Sequence, residues 1–465
     1  MPQAIATRAS RYKFVLLISG LVLFRFLFSL TTEFWFPDQD VLQIYLIGLK
    51  SFTTHTYPFF GADLVYNGSQ IPGALQGYLV SAGWYLLKIP EAPFIVLNLL
   101  LSLSLGLFAW YVSKCLQDVS RAFVWIYIFL IPWSVCFFTR IVNPSYVVVG
   151  AILFFVAFFE SQPKLRIGAL PEWLCFFLMG FAIFWIMQLH LSWVLLGPFT
   201  ALAFWHLLRT KNIRKIGLLT VAFLAGCLTT GSLLLPTLLT YGLSPASSTG
   251  SNAPSTVGMV QINFENAKDL FRVISMYFAY GLFDVTRFIG AHTEERIQFL
   301  RDYWWAAPFT VFVAVAGVAQ LLYLLFRIVR PQRDDIMLRY VRNAALGGLI
   351  TLYVSSLFSK VRVPAHGAVL LFPLVTLFAL QVFRQPMKKR WFRRTAYATL
   401  ASAVVMYAAI AWKNYTTISM YRNRDVIVRA LAQDDYTIVG RRRYEKGFNP
   451  KAVDSVMNSP TTLKH

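Results

Sequence analysis

The chain has 465 residues, a length that in a soluble protein would divide into two or three domains. Its composition excludes that: 57% of the residues are hydrophobic and 14% charged, where about 25% charged is usual for a soluble domain. No water-soluble fold of this size hides so much apolar surface, so lipid must solvate most of it. The net charge of +22 would suit a nucleic-acid binder, but neither an aromatic-interleaved basic face nor a fold signature accompanies it, so no nucleic-acid partner is expected.

The first apolar run, Phe14–Leu30, follows Arg8, Arg11 and Lys13, the pattern of a start-transfer helix that stays in the membrane rather than a cleaved signal. Within it Arg25 is expected to face protein or the interface, because a charge in hydrocarbon is costly unless paired or snorkelling. Runs of spanning length, about 17–22 residues, recur near 94–113, 121–138, 145–160, 172–189, 191–208, 216–235, 305–326, 343–359, 365–383 and 396–412. The expected fold is therefore an all-α polytopic membrane protein with about eleven transmembrane helices. The four cysteines lie in or beside apolar runs, at no disulfide or zinc spacing, and read as small core residues.

Charge gives the orientation. With the N-terminus in the cytoplasm, the inside loops carry Lys114/Arg121, Lys164/Arg166, Arg209/Lys211/Arg214/Lys215, Arg327 to Arg342, and Arg384 to Arg394. The short outer turns carry Arg140, no Lys or Arg around His190, then Lys360 and Arg362. That is the positive-inside rule. Residues 1–412 then form the membrane domain, with long outer loops at 31–93 and 236–304, and 413–465 form an outer tail. In the first loop Asp38–Phe52 and Gly73–Leu87 read as short surface helices. The second opens with a Ser/Gly/Pro/Thr-rich stretch, Ser244–Gly258, the composition of a lid or gate.

Nucleotide-binding, zinc-protease and serine-hydrolase signatures are missing from the sequence. The informative polar residues lie at the outer ends of spans. Asp38 and Asp40, just after the first span, suit a general base or metal ligands, and Asp38 equally suits a helix cap. Arg140 suits phosphate capture or snorkelling, and Asn143 before Pro144 reads as a helix cap. His190 suits a substrate contact or a satisfied interface position. Lys360, Arg362 and His366 oppose the inside bias and suit either a lipid phosphate or headgroup anchoring.

Together these features resemble the GT-C glycosyltransferases, most closely the bacterial branch related to protein O-mannosyltransferases and aminoarabinose-to-lipid A transferases. The likeness rests on Pro37-Asp38-Gln39-Asp40 after the first span, Tyr57 to Gly61, Pro72 to Leu79, the Arg140 to Pro144 turn, the Gln188 to Ser192 turn, and the stretch from Lys360 to Pro373. It covers roughly the first 210 residues well and the later spans loosely. The resemblance implies a polyprenyl-phosphate sugar donor such as an undecaprenyl phosphate glycolipid, and a glycolipid, glycan or protein acceptor. It also implies an active site on the outer, periplasmic face of a cell (inner) membrane. Asp38 would be the base and Asp40 an orienter; Arg140, Lys360 and Arg362 would hold the donor phosphate; Asn143, His190 and His366 would contact substrate. Some relatives carry Asp-Glu where this chain has Asp38-Gln39, which leaves the base open between Asp38 and Asp40. No cofactor is required, although Asp38 and Asp40 admit a divalent metal.

A single base without a carboxylate nucleophile implies one displacement with inversion. The rival readings are a multi-span lipid transporter or flippase, and a ligase or polymerase of lipid-linked glycans. The absence of an internal repeat and the gathering of polar groups at one face favour the transferase.

Overall fold

The computed structural model describes residues 2–32, 39–64, 69–210, 212–242, 262–330, 335–359, 362 and 364–417. In chain order, α1 (Pro2–Thr32) is followed by α2 (Gln39–Thr54), a hairpin of β1 (Phe60–Leu64) and β2 (Ser69–Pro72), and α3 (Leu75–Leu86). Next come α4 (Ala92–Cys115), α5 (Arg121–Leu130), α6 (Asn143–Ser161), α7 (Glu172–Met187), α8 (Gly197–Thr210) and α9 (Ile213–Gly231). The shorter α10 (Leu235–Tyr241), α11 (Leu270–Ala279), α12 (Thr286–Ile289) and α13 (Thr293–Asp302) lead to α14 (Ala307–Val329). Then α15 (Ile336–Leu357), α16 (Phe372–Phe383) and α17 (Arg390–Thr417) complete the described chain.

Among the described residues, eight helical stretches are long and apolar enough to cross a membrane, and the protein is an all-α polytopic membrane protein. α1, α4, α6, α14 and α17 do so alone. α8 and α16 do so with the 3₁₀ turns before them (Leu191–Leu196 and Ala365–Leu371), and α9 does so with α10. Each of the eleven expected segments contains a helix, but α5 and α7 are shorter than a span and α15 is not among the eight. The break after α5 has a local cause. Pro132 brings no N–H to the helix, and the chain continues as a single π-helical turn, Trp133–Phe137.

Burial sorts the helices into layers. The apolar stretch of α6 is 89% buried and that of Ala365–Phe383 is 94%, so these two form the centre. The corresponding figure for α1 and α14 is 22%, which leaves them an outward apolar surface for lipid. α7 and α9 pack backbone against backbone. A methyl group on Gly180 would collide with the carbonyl of Phe223, and one on Gly226 with the carbonyl of Phe177. Small residues at such a crossing let helices approach where lipid provides no hydrophobic drive.

Two polar devices hold the end of the bundle that carries the basic loops. The buried carboxylate of Glu160 accepts from the backbone N–H groups of Ile167 and Ala169 at 2.9 and 2.8 Å, fixing the turn between α6 and α7. Arg384, after α16, reaches Asp118 at 2.6 Å and Asp335 at 3.0 Å, and Lys388 reaches Asp118 at 3.5 Å. All four cysteines are free; Cys136 and Cys175 are buried.

Helices form at both positions expected in the first loop, as α2 and α3, but they do not lie exposed along the surface: Val41, Ile44, Tyr45, Leu49, Val80 and Trp84 are buried. The intervening hairpin was not expected. Its strands run antiparallel, pairing Phe60 with Pro72 and Leu64 with Ser69. The expected start of the tail at Lys413 falls inside α17, which runs on to Thr417; Lys413 Nζ donates to the carbonyl of Ile289 at 3.3 Å. The Ser244–Gly258 stretch and residues 418–465 lie outside the described residues.

Candidate functional site

At the end of the bundle opposite the basic loops, three separate turns meet. Phe137 closes the π-helical turn, and Arg140 follows within the same bend, its backbone N–H donating to the carbonyl of Phe137 at 3.1 Å. The hydroxyl of Ser145, in the first turn of α6, also donates to that carbonyl, at 3.3 Å. The ring of His366 stacks on Phe137 with centroids 6.0 Å apart and planes 11° from parallel. His190, between α7 and the turn before α8, feels His366 electrostatically. The residues expected at Arg140, His190 and His366 are therefore neighbours, although more than 200 positions separate the first from the last.

The first loop docks on the same end. Tyr57 donates from its hydroxyl to the carbonyl of Leu233 at 2.5 Å, and Thr237 donates to the carbonyl of Phe59 at 2.7 Å. Gly73, at φ +115°, lies against the side chain of Gln188 so closely that a Cβ would overlap it. Gln188 is held from the other side, its Nε2 donating to the carbonyls of Phe184 and Thr230 at 3.1 and 2.8 Å. Gln76 and the backbone of Gln188 flank Gly61. The Tyr57–Gly61, Pro72–Leu79 and Gln188–Ser192 motifs thus form one structure.

His190 is held as an acceptor: its Nδ1 receives the backbone N–H of Ser192 at 3.0 Å. Burial, and secondarily the neighbouring His366, push its pKa down to about 4. The ring is then neutral at pH 7, and with Nδ1 accepting, the proton sits on Nε2 as a hydrogen-bond donor.

Several polar atoms around these turns have no hydrogen-bond partner among the described residues. They are both amide atoms of Gln76, Asn143 Oδ1, Gln188 Oε1 and Ser192 Oγ, all buried. Gln188 and Ser192 were recognised from sequence as the ends of the turn that contains His190, but no role was assigned to them or to Gln76, whose signal was its place in the Pro72–Leu79 stretch. Phe137 carried no such signal. Asn143 corrects an expectation. It is the first residue of α6 rather than its cap, because Val142 takes the extended cap position and its carbonyl accepts the amide of Ser145 at 3.0 Å.

Arg362 is exposed and ion-paired, its Nε 3.2 Å from Asp269, which Arg272 shares at 3.1 Å. Asn266 fastens that region to the end of α15, donating to the carbonyls of Ser356 and Ser359 at 2.8 and 2.9 Å. Among the described residues, the contacts linking Arg140, His190 and His366 do not extend to Arg362. Asp38 and Lys360 lie outside the described residues. Asp40 is in the first turn of α2, and its side chain lies outside them too. Among the described residues no group of three or more His, Cys, Asp or Glu is arranged to hold a metal ion. No protein-family model, curated protein or solved structure matches the chain.

Proposed function

We propose that this chain is a membrane glycosyltransferase. It moves a sugar from a polyprenyl-phosphate carrier to a hydroxyl of a glycolipid, glycan or protein acceptor at the outer face of the cell membrane. The observation that carries the reading is the gathering of Gln76, Asn143, Gln188 and Ser192, with buried polar atoms that have no partner among the described residues, around His190 and the Arg140 turn. Such atoms cost free energy unless something else bonds them. A sugar brings hydroxyls for that purpose, and its prenyl chain suits the lipid beside an otherwise apolar bundle.

The chemistry follows from charge. The donor is a phosphodiester with one negative charge, and as its anomeric C–O bond breaks the phosphate leaves as a dianion. Cations beside it bind the transition state better than the ground state. Arg140, Lys360 and Arg362 have this role. Arg362 is free to turn toward the phosphate, since its side chain is 70% exposed and Asp269 keeps Arg272 as a second partner. Asp38 or Asp40 takes the acceptor proton as the acceptor oxygen attacks from the opposite face, so the anomeric configuration inverts. Neutral His190 donates from Nε2 to a substrate oxygen.

One observation favours a second reading. Arg25 is fully buried in α1, and an intramembrane charge often marks a transport path. The experiment that separates the two uses the purified full chain in vesicles containing a cell-extracted fraction of polyprenyl-phosphate sugars. A transferase consumes the lipid-linked sugar and releases the free carrier phosphate when acceptor is supplied. A transporter leaves the donor chemically intact and moves it between leaflets.

A further inference from the structure

A cavity of about 770 Å³ opens at the other end of the bundle, between α5, α14, α16 and α17. Its inner wall is apolar in practice as well as in composition. Tyr127 donates its hydroxyl to the carbonyl of Gly281 at 2.5 Å, Thr395 to that of Trp391 at 3.1 Å, and Thr399 to that of Thr395 at 2.9 Å. The Oε1 of Gln320 accepts the backbone N–H of Phe283 at 3.3 Å. Tyr127 and Gln320 are thus bonded to the backbone of residues 281–283 and the two threonines to the backbone of α17, and the wall around them suits hydrocarbon.

The mouth is different. Arg327, Lys388 and Lys389 line it, and Trp391 beside them is 64% exposed, the disposition of a residue at a membrane–water interface. Arg390, Arg393 and Arg394 continue the cationic surface along the first turns of α17. Among the described residues the nearby acids are Asp118 and Asp335, both engaged by Arg384, with Lys388 sharing Asp118 at 3.5 Å, so the cations there outnumber the acids. A cationic rim over an apolar slot between spanning helices has the charge and polarity profile of one occupant, an anionic phospholipid with its headgroup at the rim and an acyl chain inside.

We propose that this cavity is a binding site for an anionic phospholipid of the leaflet that faces the basic loops. The site lies at the end of the bundle away from Arg140, His190 and His366, and the proposal does not rest on the glycosyltransferase reading. A lipid wedged there would brace α17 against α5, α14 and α16.

The test is native mass spectrometry of the delipidated full chain titrated with dioleoylphosphatidylglycerol or dioleoylphosphatidylcholine, with apparent melting temperature as a second readout. The wild-type chain is expected to retain phosphatidylglycerol about tenfold better than phosphatidylcholine and to melt higher with it. Lys389→Gln, at an exposed rim position, should lower phosphatidylglycerol retention about fivefold, the worth of one cation near an anionic headgroup. Ala396→Trp, which fills the slot, should abolish retention of either lipid. If Ala396→Trp does not fold, Lys389→Gln decides alone. Equal retention of the two lipids by the wild type overturns the proposal, as does undiminished phosphatidylglycerol retention in Lys389→Gln. Self-association that excludes lipid from the cavity would overturn it too.

Discussion

Arg25 in α1 and Ser134 in the π-helical turn, 109 positions apart, grip each other inside the bundle. One guanidinium nitrogen donates to both the carbonyl and the hydroxyl of Ser134, at 2.5 and 2.6 Å. The guanidinium also lies 6.0 Å from the ring of Phe129, while its Nε and second terminal nitrogen have no hydrogen-bond partner among the described residues. The π-helical turn after Pro132 presents the backbone and hydroxyl oxygens that receive the charge. The contact ties the first span to the turn that carries Phe137 and Arg140.

Removing one partner of this contact should cost more than removing both. Ser134→Ala leaves the buried charge with the carbonyl alone and should destabilise by about 1–3 kcal/mol. Arg25→Met in the Ser134→Ala background should recover most of that, because it deletes the charge and keeps the volume. Apparent melting temperatures of the two single variants and the double variant in one detergent check this. If the double variant is as damaged as the sum of the singles, the charge is not the source of the cost.

The α7–α9 crossing gives a sharper stability test. Gly226→Leu drives a side chain into the backbone of Phe177 and should cost about 3 kcal/mol, enough to lose folded material. Gly217→Ala, also in α9 but with nothing within 4 Å of its would-be Cβ, should be neutral. The yield of monodisperse protein after size-exclusion chromatography compares them, and a normal yield of Gly226→Leu would contradict the close packing.

The helices inside the expected spans were legible because apolar runs must be helical in lipid, though α5 and α7 are shorter than a span and α15 is not among the eight. Arg25 was legible as a residue that must face protein or the interface. The hairpin was not. Phe60–Leu64 and Ser69–Pro72 are too short for alternation to show, and they are ordered by docking of Gly73 on Gln188, a contact 115 positions long. The interruption at Trp133–Phe137 was also hidden, because Pro132 stands in an apolar run that otherwise reads as one span. For the site, residue type and sidedness pointed to Arg140, His190 and His366, but only the fold shows that Phe137 bridges the first and the last.

Acid should weaken the Arg384 network. Partial burial raises the Asp118 carboxyl, but the hydrogen bond and charge of Arg384 outweigh it and hold the pKa below its ordinary 3.8. A depressed carboxylate adds stability above the unfolded value and loses it as the pH falls through the folded one. Both partners are about a third exposed, so the contribution is about 1 kcal/mol. Melting temperatures of the wild type and Asp118→Asn should differ at pH 6 and converge below pH 3.8. A constant gap would rule out the charge as the cause.

His190 works in the same direction at higher pH. Its folded pKa of about 4 lies below the ordinary 6.5, so the unfolded chain binds the proton first. Stability attributable to the neutral ring is present above 6.5 and declines as the pH falls toward 4, by up to about 3 kcal/mol. His190→Gln should flatten that part of the melting-temperature profile, and an unchanged slope would mean that folding does not shift the pKa of the ring.

The central claim, sugar transfer with Asp38 or Asp40 as the base, is tested most directly by Asp38→Asn, Asp40→Asn and the double variant. The measurement is acceptor-dependent consumption of lipid-linked sugar in vesicles, with donor binding followed separately. Asn keeps the shape and capping ability of Asp but takes no proton. Turnover should fall by about 10²–10⁴ in one single variant and in the double variant, with donor binding little changed. Wild-type turnover in all three would contradict the mechanism.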